Sequence, residues 1–65
     1  MTLSEIGAEF LKESVRIKNK IKGLEPLLMI YRDDDLDTLK RRILILKRLS
    51  EECEILGERA LYYSP

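Results

Sequence analysis

The sequence predicts an all-α chain folded as one antiparallel two-helix hairpin, with a helix over about 3–31, a turn at 32–34 and a helix over about 35–62. Three observations predict it. Leu36, Leu39, Ile43, Leu46, Ser50, Cys53, Gly57 and Ala60 recur at alternating spacings of three and four, the seam of a helix that packs lengthwise on another. A second seam with the same spacing runs through Leu3, Gly7, Phe10, Ser14, Ile17, Ile21, Leu24, Leu28 and Tyr31. Between them, Arg32-Asp33-Asp34-Asp35 is the only polar break, and a turn that short forces the two helices antiparallel.

The first helix opens on a capping box, Thr2-Leu3-Ser4-Glu5. The Thr2 hydroxyl can accept from the Glu5 amide while the Glu5 carboxylate reaches back to the Thr2 amide. Good helix formers fill the positions between seam residues, among them Glu9, Lys12, Glu13, Arg16 and Lys20. Gly23 and Pro26 oppose a straight helix, because proline removes its own amide and clashes one turn back, at Lys22. Either the helix kinks at Pro26, or it stops near Gly23 and a short second segment starts with Pro26 as its first residue. The seam runs through Leu24, Leu28 and Tyr31 without a slip, which favours one continuous helix kinked at Pro26. Asp34 is the expected N-cap of the second helix, and the acid cluster suits the positive end of its dipole. Tyr63-Ser64-Pro65 reads as a frayed tail.

Folding the seams together at the turn sets their layers. Leu28 meets Leu39, Leu24 meets Ile43 and Ile21 meets Leu46, so large residues face large ones near the turn. Further out Ser14 meets Cys53, Phe10 meets Gly57 and Gly7 meets Ala60, small layers that let the helices approach closely. The seams leave apolar residues unused. Leu49, Leu56 and Tyr63 form a row beside the second seam; Ile6 and Leu27 flank the first on one side, Leu11 and Val15 on the other. A pair of helices cannot cover stripes this wide, so Leu11, Val15, Leu49, Leu56 and Tyr63 are the expected oligomer interface. The expected assembly is a C₂ homodimer forming a coiled-coil-like four-helix bundle.

Composition points the same way. The 65 residues make a single domain, 1–65, too small to bury much of its own surface without a staple, a metal or a second copy. Its one cysteine, Cys53, excludes an internal disulfide, and the absence of histidine argues against a metal site. Self-association remains. The unpaired thiol suits a reducing compartment, and Met1-Thr2-Leu3-Ser4-Glu5 lacks the basic start and apolar run of a signal peptide. The longest uncharged run, Pro26 to Tyr31, is far below the ~20 residues that span a bilayer. These observations predict a cytoplasmic protein with no membrane association.

Chemistry-bearing motifs are absent on inspection. Asp33, Asp35 and Asp37 alternate as calcium ligands do, but the glycine and glutamate that complete such a loop are replaced by Thr38 and Leu44. Helix capping accounts for them better. Cys53, on a seam and with no histidine to activate it, reads as a small buried hydrophobe rather than a nucleophile. No catalytic residue and no cofactor site is expected.

Charge is the exception. The 12 basic and 12 acidic residues cancel overall but are banded along the chain. Arg16, Lys18, Lys20 and Lys22 precede the turn, and Lys40, Arg41, Arg42, Lys47 and Arg48 follow it, with no acid inside either stretch. The hairpin sets these stretches side by side. Arg16, Lys20, Lys40, Arg41, Arg42, Lys47 and Arg48 are therefore candidate anion-binding residues for a nucleic-acid partner. The favoured alternative is pairing between subunits, basic belt on acidic end, because a nucleic-acid binder is rarely neutral overall.

In plan, a helical hairpin of this size that dimerises into four helices resembles the Rop family, plasmid-encoded modulators of an RNA–RNA complex. The resemblance covers architecture only and implies a small RNA- or DNA-binding regulator acting through the belt 16–22 plus 40–48. The small sporulation phosphatases of the Spo-zero-E type are also helical hairpins, but their Ser-Gln-Glu-Leu-Asp signature is missing; the nearest string is Asp33-Asp34-Asp35-Leu36-Asp37. The residues themselves favour a non-enzymatic, homo-oligomeric adaptor or regulator that binds another protein through its bundle surface.

Overall fold

A computed structural model describes residues Met1 to Pro65. Helix α1 spans Leu3–Leu24, a 3₁₀ segment follows over Glu25–Met29, and helix α2 spans Asp33–Tyr62. The two long helices pack side by side as a hairpin, a rod of 50 × 15 × 15 Å. Its length is that of α2, since 30 residues at ~1.5 Å per residue reach ~45 Å. No helix is long and apolar enough to cross a membrane.

The seams become the core. All eight buried residues (Gly7, Ser14, Ile17, Ile21, Leu39, Ile43, Ser50 and Gly57) are seam residues. Ile17, Ile21, Leu39 and Ile43 form the hydrophobic cluster, with Leu24, Leu27, Leu28, Leu46 and Cys53 packed against it. The capping box is present at both its bonds: the Glu5 amide donates to Thr2 Oγ1 at 3.2 Å, and the Thr2 amide donates to Glu5 Oε1 at 3.4 Å.

Two boundaries differ from expectation. The first helix is not a kinked helix over 3–31: its α-geometry ends at Leu24, and Pro26 opens a 3₁₀ turn near its first position. Three residues per turn align Leu27 with Leu24, which draws Leu27 onto the core. An α-turn here would instead have cost the Lys22 carbonyl its partner. The chain then turns through Ile30 and Tyr31, whose amides both donate to the Leu27 carbonyl, at 3.0 and 2.9 Å.

The second helix starts at Asp33 rather than about 35, and its N-cap is Arg32, not Asp34. Arg32 is extended and its side chain makes no capping bond. Asp33 has φ 54°, the left-handed region that aspartate tolerates better than most residues. That one residue turns the chain sharply enough to shorten the loop. Asp33, Asp34 and Asp35 all lie in the first turn, where their charge opposes the dipole's positive end.

Candidate interaction surface

Near the open end of the hairpin the two helices approach backbone to backbone. A Cβ built on Gly7 would lie 2.9 Å from the Gly57 carbonyl oxygen, and one built on Gly57 would lie 3.0 Å from that of Gly7. Backbone meets backbone here, and no other residue type fits without moving a helix. The side chains that close over the glycines are Leu61, with Cγ 2.8 Å from the Gly7 position, and Leu11, with Cγ 2.8 Å from the Gly57 position. Gly57 was expected to face Phe10. It faces Gly7 instead, which was expected to face Ala60; the residue beside the seam reaches across over each glycine, and Phe10 lines a groove with Ile6, Glu13 and Cys53.

The serine layer sits next along the rod. Ser50 Oγ donates to the Lys47 carbonyl at 2.8 Å, whereas the buried Ser14 Oγ has no partner. A hydroxyl held dry without a bond is destabilising. Small size, not polarity, is what this position uses.

The rod has two sides, and they differ in chemistry. On one side Lys18 Nζ donates to Glu54 Oε2 at 3.0 Å, the only ion pair between the helices. Lys18, Lys22, Lys47, Glu25, Glu51 and Glu54 line one groove there. On the opposite side Leu27 and Arg42 line a groove near the turn. Every seventh residue shares a line along a helix, so this side also holds Ile6, Glu13 and Lys20 on α1 and Leu49, Leu56 and Tyr63 on α2. Ile45 lies beside that row. Ile45, Leu49, Leu56 and Tyr63 are 58%, 43%, 46% and 71% exposed, an apolar strip without cover.

The residues expected to form one oligomer interface are therefore divided between two sides. Leu49, Leu56 and Tyr63 stand together on the leucine side. Leu11 is on the salt-bridged side, half-buried over Gly57, so its packing is spent within the chain. Val15 shares a groove with Leu11 and stays 56% exposed. One flat contact cannot cover both groups.

The basic belt is placed all around the rod, and it is interleaved with acids. Arg16 is bound to Glu13 at 3.2 Å, and Lys47 shares its groove with Glu51 and Glu54. Lys20, Lys40, Arg41, Arg42 and Arg48 take part in no ion pair. Arg41 and Arg48, seven residues apart, share one line on the outside of α2. Lys18–Glu54 was not foreseen, because each stretch looked purely basic or acidic until the hairpin set them level. No three cysteine, aspartate or glutamate side chains converge closely enough to hold a metal ion, and the aspartates at 33, 35 and 37 follow the helix instead.

Compared with protein families, curated proteins and solved structures, the chain matches none.

Proposed function

We propose that the protein is a non-enzymatic, homo-oligomeric adaptor or regulator: two hairpins joined as a four-helix bundle that presents its outer surface to another protein. One observation supports this reading above the others. Four large apolar side chains are buried, and fourteen are exposed. A compact chain of 7.6 kDa exposes ~4,300 Å² by the usual size scaling. This rod exposes 5353 Å². The excess, ~1,000 Å², is comparable with the ~800 Å² that each partner buries in a stable interface. A second copy on the leucine side would cover Ile45, Leu49, Leu56 and Tyr63. It would leave Leu44 (55% exposed), Ile55 (48%) and Tyr62 (81%) on the outside of α2, a further apolar line for a different protein.

A second reading rests on the unpaired cations. Lys20, Lys40, Arg41, Arg42 and Arg48 have no acid partner, and a phosphate backbone could supply one. Interleaved acids on the salt-bridged side and zero net charge weigh against it. Heparin chromatography separates the readings. The adaptor reading predicts elution at low salt and no copurifying absorbance at 260 nm. Strongly salt-dependent retention, lost in Arg41→Glu with Arg42→Glu while the oligomer stays intact, would replace it with a Rop-like nucleic-acid regulator.

A further inference from the structure

Resting on the adaptor reading above, we infer the kind of protein that the outside of α2 receives: an amphipathic helix whose aliphatic residue is flanked by carboxylates. The seat is centred on Leu44, which is 55% exposed. On a helix, the surface neighbours of a residue lie three and four positions away on either side. For Leu44 these are Lys40, Arg41, Lys47 and Arg48, so all four neighbours are cations. All four are exposed, and none takes part in an ion pair. The contrast lies further along the same outer line. Ile55, 48% exposed, has Glu51, Glu52, Glu58 and Arg59 at the corresponding positions. The two seats share an aliphatic centre and differ in charge, so charge selects what docks on each.

Covering Leu44 takes water from the cations around it, so a cover that brings no carboxylates is penalised. One that does is rewarded, and Arg41 and Arg48 each offer a carboxylate a two-pronged bond. The spacing fits a helix. Lys40 and Lys47, like Arg41 and Arg48, are one heptad or ~10.5 Å apart, the repeat at which a helix laid alongside presents one line of its own residues. The seat is also short. Asp37 and Glu51 stand one heptad before and after Leu44 on its own line, so an acid closes each end. A nucleic-acid backbone, charged along its whole length, would meet both acids and leave Leu44 without an apolar contact. A partner helix with its acids confined to two turns, about one leucine or isoleucine, meets neither obstacle.

The probe is a fluorescent, alanine-rich helical peptide carrying one leucine, with glutamates three and four positions to either side of it. A second peptide carries lysines at those four positions. By anisotropy the glutamate peptide should bind the native protein, less tightly as salt is added, and the lysine peptide roughly tenfold more weakly or worse. Arg41→Glu with Arg48→Glu should weaken the glutamate peptide roughly tenfold by reversing two exposed pairs. Leu44→Ala should weaken it by about the same factor through lost burial, and the fold survives because that side chain lies outside the core. No binding, equal binding of both peptides, or binding indifferent to Leu44→Ala overturns the inference. So does a DNA duplex that binds through the same arginines without regard to Leu44. A native assembly whose mass falls in Arg41→Glu with Arg48→Glu gives the seat to another copy and overturns it likewise. Light scattering separates the two readings: a single-chain mass sinks the homo-oligomer but not the seat, which lies on one helix, whereas a dimer that binds neither peptide sinks the seat alone.

Discussion

Gly57→Leu is expected to open the far half of the hairpin and to remove most of the protein's stability. The site has no room for a methyl group: its Cβ would lie 2.8 Å from Leu11 Cγ and 3.0 Å from the Gly7 carbonyl oxygen. The leucine contact can yield by rotation, but the carbonyl belongs to α1 and yields only if the helices part. Gly57→Ala should therefore lose stability on balance. The helix propensity of alanine contributes ~1 kcal/mol in its favour, and overpacking costs ~1–3 kcal/mol against it. Leucine exceeds that range, against a total of ~3–10 kcal/mol for a chain this size.

Partial rescue should come from Leu11→Ala, not from Phe10→Ala, because Leu11 is the side chain in contact. Melting curves of the singles and doubles test this, and strict additivity of Gly57→Ala with Leu11→Ala would contradict the contact. Gly23→Ala is the control. Nothing lies within 4 Å of its added Cβ, so that change should stabilise by ~0.4–1 kcal/mol.

Leu39→Ala should be nearly as damaging at the other end. Leu39 is 5% exposed, the most buried of the four core side chains, and it holds the start of α2 against Ile17 and Ile21 through the cluster. Truncating such a leucine costs ~2–5 kcal/mol, part transfer and part cavity. In a domain of this size, ~1 kcal/mol moves the melting midpoint by ~4–8 °C, so a fall of 10 °C or more is expected. Leu44→Ala, on a side chain 55% exposed, should change stability by no more than ~0.5 kcal/mol. Equal losses at the two leucines would mean that the seam does not define the core.

Periodicity read the core well for a physical reason. In a hairpin each helix has only one partner, so a single line of residues per helix can be buried, and that line is the 3-4 seam. Hence Ile17, Ile21, Leu39 and Ile43 were legible, as was the Thr2–Glu5 box, which depends on four adjacent residues. The end of α1 was legible only as a choice between a kink and a break at Gly23-Pro26. Leu24, Leu28 and Tyr31 keep α-spacing in sequence, but Pro26 imposes a 3₁₀ turn, Leu27 takes the core contact, and Tyr31 is left 41% exposed.

The Phe10–Gly57 layer failed for a related reason. Level pairing set Gly7 on Ala60 and Phe10 on Gly57, whereas the two glycines face each other and Leu11 and Leu61 close over the contact. Asp33 at φ 54° left no signal at all, since nothing in Arg32-Asp33-Asp34-Asp35 says which aspartate takes the left-handed turn. At the candidate surface, the apolar row Leu49, Leu56 and Tyr63 was legible from spacing alone. The separation of Leu11 and Val15 onto the other side needed the register of both helices together.

A hairpin that completes its core with another copy of itself, as proposed, has a mass and a stability that depend on concentration. Sedimentation equilibrium across the micromolar range, with melting curves at the same concentrations, tests it directly. Twice the 7.6 kDa chain mass or more is expected, with a melting midpoint that rises with concentration. A folded species of single-chain mass whose midpoint does not depend on concentration would contradict it.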